Sequence, residues 1–228
     1  MKRVRSLLVV FLLLGTLVVS AQGAYLEKGV NGIGSEARVV LGLDGFKGLG
    51  IVSGYSIAGI LDVGGSVDYS LGELEGLDST DLRAALDYGV NVLKQSARVP
   101  LSLQIKGSYG IHRVLSEYLD NTNATRRGTG YTLGLNLASN IRLTPSWLIR
   151  VSLFGDYGST KYITLPEGAL ETTPGVVERA ADLYFGGGLG FLFAFPQGAI
   201  LAVQAELRAD RDLEFQINPI LSVAFPQR

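Results

Sequence analysis

From Leu101 to Ile111 the chain alternates without a break. Leu101, Leu103, Ile105, Gly107, Tyr109 and Ile111 fall on one face of an extended strand, and Ser102, Gln104, Lys106, Ser108 and Gly110 on the other. A helix would smear this two-residue period around its axis, so the stretch predicts a strand with one apolar and one small, polar face. The same code recurs along the chain. Val39, Leu41 and Leu43 oppose Arg38, and Leu49–Ile57 follows. Leu61, Val63, Val67 and Tyr69 oppose Asp62, Ser66 and Asp68, and Leu82, Leu86, Tyr88 and Val90 oppose Arg83, Asp87 and Asn91. Further on, Tyr131, Leu133, Leu135 and Leu137 oppose Thr132, Asn136 and Arg142, and Trp147, Ile149, Val151 and Leu153 oppose Arg150, Ser152 and Asp156. Leu183, Phe185, Leu189 and Phe193 oppose Asp182, Gly186 and Gly188. Leu201, Val203 and Leu207 oppose Gln204, Glu206 and Arg208, and Phe215, Ile217, Leu221, Val223 and Phe225 oppose Glu214, Gln216 and Ser222. The pattern predicts an all-β chain of about ten antiparallel strands, with eight as the alternative, most near the ~9–11 residues that a tilted strand needs to cross a bilayer.

Alternation alone does not say which face is wet, because a soluble barrel and a membrane barrel write the same code. Three features favour lipid outside. Tight connections (Ala58-Gly59, Gln95–Ala97, Thr144–Ser146, Pro196–Gly198) alternate with mostly longer, polar ones, of which Gly72–Ser79, Ser116–Arg127 and Thr164–Glu178 are the largest. Short turns at one end and longer loops at the other are the membrane-barrel habit. Aromatics on the apolar face gather where this topology puts the interfaces: Trp147, Phe195 and Phe225 at the short-turn rim, and Tyr69, Tyr109, Tyr131, Tyr157, Phe185 and Phe215 at the other. Such rings prefer the headgroup level. The polar face is Gly, Ser, Asn, Asp and Arg, with Lys106 nearly its only lysine, which suits a crowded lumen better than a solvated surface.

The N-terminus adds an export signal. Lys2, Arg3 and Arg5 precede an apolar run, Leu7–Val19, and small residues follow, so Met1 to Ala24 reads as a signal peptide cleaved after Ala21, Gly23 or Ala24. The alternative is a retained anchor helix, for which the run is short. The remainder, residues 25–228, is the size of one domain. Cysteine is absent, which excludes a lipidated N-terminal cysteine, a disulfide framework and thiolate metal sites. A net charge of −1 argues against a nucleic-acid partner. Thirty glycines recurring inside the alternating segments speak against helices.

On these alternating segments and a closing strand that ends Leu221-Ser222-Val223-Ala224-Phe225, the chain resembles the small outer-membrane β-barrels of double-membraned bacteria, the OmpA/OmpX-like porin-fold group. The resemblance covers the whole mature chain and is one of architecture. It implies an outer-membrane location, outer-membrane lipid as the surroundings, and recognition of the terminal strand by the barrel-assembly machinery. In that group the final aromatic sits at or near the end, whereas here Pro226-Gln227-Arg228 trails Phe225. No peptidoglycan-binding domain is expected after the last strand.

Candidate chemistry is sparse. His112 is the sole histidine and shares the polar row with Ser108, so the pair is a candidate nucleophile and base; the blander reading is a lumen histidine bonded to polar neighbours. A lone histidine argues against a His-based metal site, and no cofactor is implied. The run Gly186-Gly187-Gly188-Leu189-Gly190 continues as strand where a phosphate loop would open a helix, so it reads as close packing or curvature. Asn123-Ala124-Thr125 matches a glycosylation triplet by chance, and Arg126-Arg127 is placed to meet lipid phosphates or to be solvated. The lumen charges say more. Arg38, Arg83, Lys106, Arg142, Arg150 and Arg208 share the polar face with Asp62, Asp68, Asp87, Asp156, Asp182, Glu206 and Glu214. Near-balanced signs suit an interior closed by ion pairs, whereas a selective pore more often lines its constriction with one sign. The expectation is a non-enzymatic barrel with a structural or surface-binding role through its outer loops, an extracellular ligand being one partner. A narrow channel for small solutes and an outer-membrane hydrolase are the rivals.

Overall fold

The computed structural model describes residues 29–43, 45–96, 98–166 and 175–227. The expected signal peptide and part of the loop Thr164–Glu178 lie outside them. Ten strands run up and down: β1 (Asn31–Gly42), β2 (Gly45–Ile57), β3 (Leu61–Leu74), β4 (Leu77–Leu93), β5 (Ser102–Ser116), β6 (Ala124–Arg142), β7 (Trp147–Pro166), β8 (Val176–Ala194), β9 (Ile200–Asp210) and β10 (Phe215–Gln227). Each pairs antiparallel with its neighbours, and β1 pairs with β10 to close the barrel. A one-turn helix, α1 (Glu117–Asn121), links β5 to β6, with the Ser116 hydroxyl accepting from the Tyr118 N–H at its start.

The barrel is inside out relative to a soluble protein. Leu86, Tyr109, Ile111, Leu133, Leu153, Leu189, Phe191 and Val203 are exposed around its outer wall, whereas Ser66, Ser108, Arg150, Ser152, Asn218 and Ser222 are buried inside it. Water outside would meet a continuous apolar surface far larger than soluble proteins tolerate. A closed antiparallel sheet, in which every ladder bond is made internally, is also the one all-β structure that can stand in lipid. The protein is therefore an outer-membrane β-barrel. The turns after β2, β4, β6 and β8 share the end expected to be periplasmic, although the connection after β4, expected to be a tight turn at Gln95–Ala97, spans 94–101.

The expected aromatics face outward. Tyr109 pairs with Tyr131, whose ring centroid lies 6.2 Å from that of Tyr157. At the periplasmic rim Trp147 and Phe193 meet edge to face at 4.9 Å, and Phe193 meets Phe195 at 4.7 Å. Phe225, opposite Ile33, is exposed beside the closing seam.

The large departures from expectation are at the outer end. The segment Gly72–Ser79, expected as a loop, is mostly strand: β3 and β4 continue to a two-residue turn whose central residues, Glu75 and Gly76, have φ of 52° and 77°. Two positive-φ residues make the primed turn whose twist matches that of the flanking strands. The expected loop Ser116–Arg127 shrinks to α1 and a short connection, with Asn123 at φ 46°. As a result β6, β7 and β8 have 19, 20 and 19 residues, against 12, 13, 11 and 13 for β1, β2, β9 and β10. The wall rises high on one side only.

Candidate functional site: the charged lumen

One inward row of partners runs round most of the barrel: Arg38, Gly50, Asp68, Arg83, His112, Gly128, Tyr162 and Glu178 on β1 to β8 in turn. The two glycines are gaps through which long side chains reach over a strand. Arg38 passes Gly50 to Asp68 (2.5 Å), and Asp68 also takes Arg83 (3.0 Å). A Cβ on Gly50 would stand 2.8 Å from the Arg38 Nε. The Tyr162 ring lies over Gly128 and donates its hydroxyl to Asp81 Oδ2 at 2.7 Å.

The device repeats lower down. Lys106 crosses Gly134 to Asp156 (3.1 Å), and Asp156 lies 3.7 Å from Arg208, which holds Glu206 at 2.8 Å. Asp62 reaches past Gly89 to accept from Gln104 (2.8 Å) and also from Asn91 (3.1 Å). Gly186 and Gly188 make room for Phe154, and for Ser152 and Glu206, while the Arg208 guanidinium stacks 4.8 Å over the Phe154 ring. The Gly186–Gly190 run is thus close packing inside a barrel wall, as its sequence context implies. Between the two ion-pair groups lies a cavity of about 390 Å³.

His112 sits at the outer mouth. Its Nδ1 lies 2.9 Å from Asp81 Oδ2, and its ring meets Tyr162 edge-on at 5.6 Å. Ser108 is turned away: Arg83 donates to its hydroxyl, which also bonds Thr132 at 2.7 Å. The candidate Ser108–His112 pair does not form, because the arginine captures the hydroxyl; His112 is instead bonded to a polar lumen neighbour, Asp81. Beside Tyr162, Arg126 lies 4.7 Å over the ring and pairs with Glu178 at 2.8 Å. Among the described residues no group of three or more potential ligands is arranged to hold a metal.

Of the expected lumen charges, Arg38, Asp62, Asp68, Arg83, Lys106, Asp156, Glu206 and Arg208 join these two groups and their neighbours. Asp87 and Asp182 line the cavity without a salt bridge among the described residues. Arg150 is buried and donates to the Asn140 side chain at 3.2 Å. Arg142 and Glu214 are exposed at strand ends, outside the groups. Asp81, Tyr162 and Glu36 are not among the residues the sequence singles out, although each falls on the inward parity of its strand.

The periplasmic end of the lumen is different again. Leu192, Ala202 and Ala224 are almost fully buried there and pack with Leu148 and Ile200, all on inward rows of β7 to β10. Opposite, the turn after β4 folds back on the sheet. Gln95 donates to the Asn140 carbonyl (2.7 Å) and accepts from the Asn140 N–H (2.6 Å), taking the place of strand backbone where β6 outruns β5.

No family model and no curated protein sequence matches the chain. Solved structures to which it is similar include Ail, the attachment invasion locus protein of Yersinia pestis (14% identical over 87% of this chain and 97% of that one, TM-score 0.36). The β domain of the Bordetella autotransporter BrkA is 12% identical over 88% and 100%, with a TM-score of 0.42. The outer membrane channel DcaP of Acinetobacter baumannii is 7% identical over 86% and 96%, with a TM-score of 0.20. These likenesses are to other barrels and carry no argument about activity.

Proposed function

We propose that this outer-membrane barrel is a non-enzymatic surface protein, exported by its N-terminal signal, that acts through the outer ends of its strands and passes no steady current. The observation that supports the reading is how the lumen is lined. Ion pairs link side chains no more than two strands apart along its inner wall, and the apolar cluster of Leu192, Ala202 and Ala224 packs at its base. These half-buried pairs are held by neighbours on several strands, so opening a path would leave charges without their partners. What remains for contact with the outside is the tall wall of β6 to β8 and the connections it carries, where an extracellular ligand would bind.

Conductance in planar bilayers tests the reading. Purified wild-type protein that migrates as a folded barrel when unheated should give no stable open state. A steady, large conductance would instead establish the narrow channel, the reading that the cavity of about 390 Å³ favours. Recovery of the protein in the soluble periplasm would overturn the barrel's location as well.

A further inference from the structure

The outward rows of β5 to β8 carry a second charged feature that the lumen does not explain. Arg113 on β5 stands directly opposite Arg127 on β6, and Lys161 on β7 directly opposite Arg179 on β8. Lys161 pairs with Thr129, two residues from Arg127, so the two like-charged pairs are diagonal neighbours on the outer wall. All four side chains are exposed, and none makes a salt bridge among the described residues. The contrast with Arg126 is direct: one residue away on the inward row, it has Glu178 at 2.8 Å. On the outward rows beyond the tyrosines, from Ile111 to Leu115, Thr125 to Thr129, Ser159 to Leu165 and Val177 to Leu183, no carboxylate occurs.

Like charges directly opposite each other destabilise a sheet pair, and here two such pairs adjoin. An anion seated between them removes that cost. Three of the four strands supply arginine, whose planar fork binds phosphate oxygens in pairs. The height of the patch identifies the anion's source. Arg113, Arg127 and Lys161 each lie four residues beyond Tyr109, Tyr131 and Tyr157 of the outer girdle. Four residues of a tilted strand rise about 10 Å along the membrane normal, the depth of the headgroup layer. Exposed Ile111, Leu115 and Val177 alternate with the cations on the same rows, an arrangement that suits the boundary between acyl chains and headgroups rather than bulk water.

We propose that the outward face of β5 to β8 above the tyrosine girdle binds the phosphate groups of phosphorylated lipid headgroups in the outer leaflet. The proposal rests on the membrane reading of the barrel, and fast migration of the unheated protein reports on that reading separately.

The test uses full-length folded protein in detergent micelles, with bisphosphorylated lipid A as the probe and native mass spectrometry to count bound lipid. Wild type should retain the probe, and removing its phosphates should weaken retention at least about tenfold. The combined variant Arg113→Gln, Arg127→Gln, Lys161→Gln and Arg179→Gln should show the same loss. Arg127→Glu with Arg179→Glu guards against misfolding, because it converts both like pairs into opposite-charge pairs. That variant should keep or raise thermal stability while losing the lipid. Equal retention by wild type and these variants overturns the proposal, as does equal retention of the dephosphorylated probe. A soluble heparin fragment bound in preference to lipid A would also overturn it, by making a soluble polyanion the occupant.

Discussion

Arg38 and Asp68 meet at 2.5 Å although a whole strand lies between them. The contact exists because Gly50, at the intervening register position, has no side chain to stand in the way. Gly50→Val should therefore break a pair in which it takes no part. The expected loss is about 2 kcal/mol, the worth of a charged hydrogen bond in a half-buried setting. It would be read as a lower temperature for the shift from unheated to heated migration. Wild-type behaviour in that variant would mean that Arg38 finds Asp68 by another route.

The periplasmic cluster makes a separate prediction. Leu192 is 2% exposed and packs on Ala202 and Ala224. Leu192→Ala should cost about 2–5 kcal/mol if the site does not collapse. Leu192→Ser together with Leu148→Ser should also wet the base of the lumen. Brief openings in planar bilayers, absent from wild type, are the expected signal.

Lys94 lies in the turn after β4, outside the membrane-spanning strands. Burial pushes its pKa down from the ordinary 10.5 to about 8, Asp62 opposing the fall and Arg150 adding to it. Between those two values the unfolded chain binds the proton and the folded one does not, so this group makes stability rise with pH across about 8 to 10.5. Amine labelling followed by peptide mapping should give Lys94 a midpoint near 8. A midpoint at the ordinary 10.5 would contradict the burial.

The hairpin between β9 and β10 holds Leu213 at φ 63°, a conformation that suits glycine, and leaves its side chain 62% exposed. Leu213→Gly should raise thermal stability, by about 1 kcal/mol for the relieved backbone. The Asp210 side chain, which accepts from the Asp212 and Glu214 N–H groups, keeps the turn in place.

Phe225→Asp should reduce assembly more than stability. A charge near the interface costs only about 0–1 kcal/mol, so a severe fall in inserted protein would have to come from lost recognition of the closing strand. Normal insertion of that variant would place the signal elsewhere.

The strands within the bilayer were legible because lipid on one side and a polar lumen on the other force strict alternation, as from Leu101 to Ile111. Above the tyrosines both faces are polar or mixed, the period fades, and the ends of β3 to β8 read as loop. Asp81 and Tyr162 belong to those extensions, so the partners of His112 were missed. The apolar base was missed for a different reason. Leu148, Leu192, Ala202 and Ala224 sit on the polar parity, where an apolar residue looks like a lapse in the pattern. Gly50, Gly128 and Gly134 were visible as glycines, but only the register shows which side chains pass over them.

The uneven height of the wall separates two regions with different tolerances. The seam joining β1 to β10 lies in its lowest part, between strands of 12 and 13 residues, whereas the turn at Glu75-Gly76 caps a hairpin two strands away. Closure of the cylinder draws on Asn31–Gly42 and Phe215–Gln227 alone. A foreign peptide spliced at Glu75-Gly76 would be displayed above the rim without touching the residues that zip the first strand to the last. The molecule is in this sense a scaffold with an editable crest and a fixed clasp.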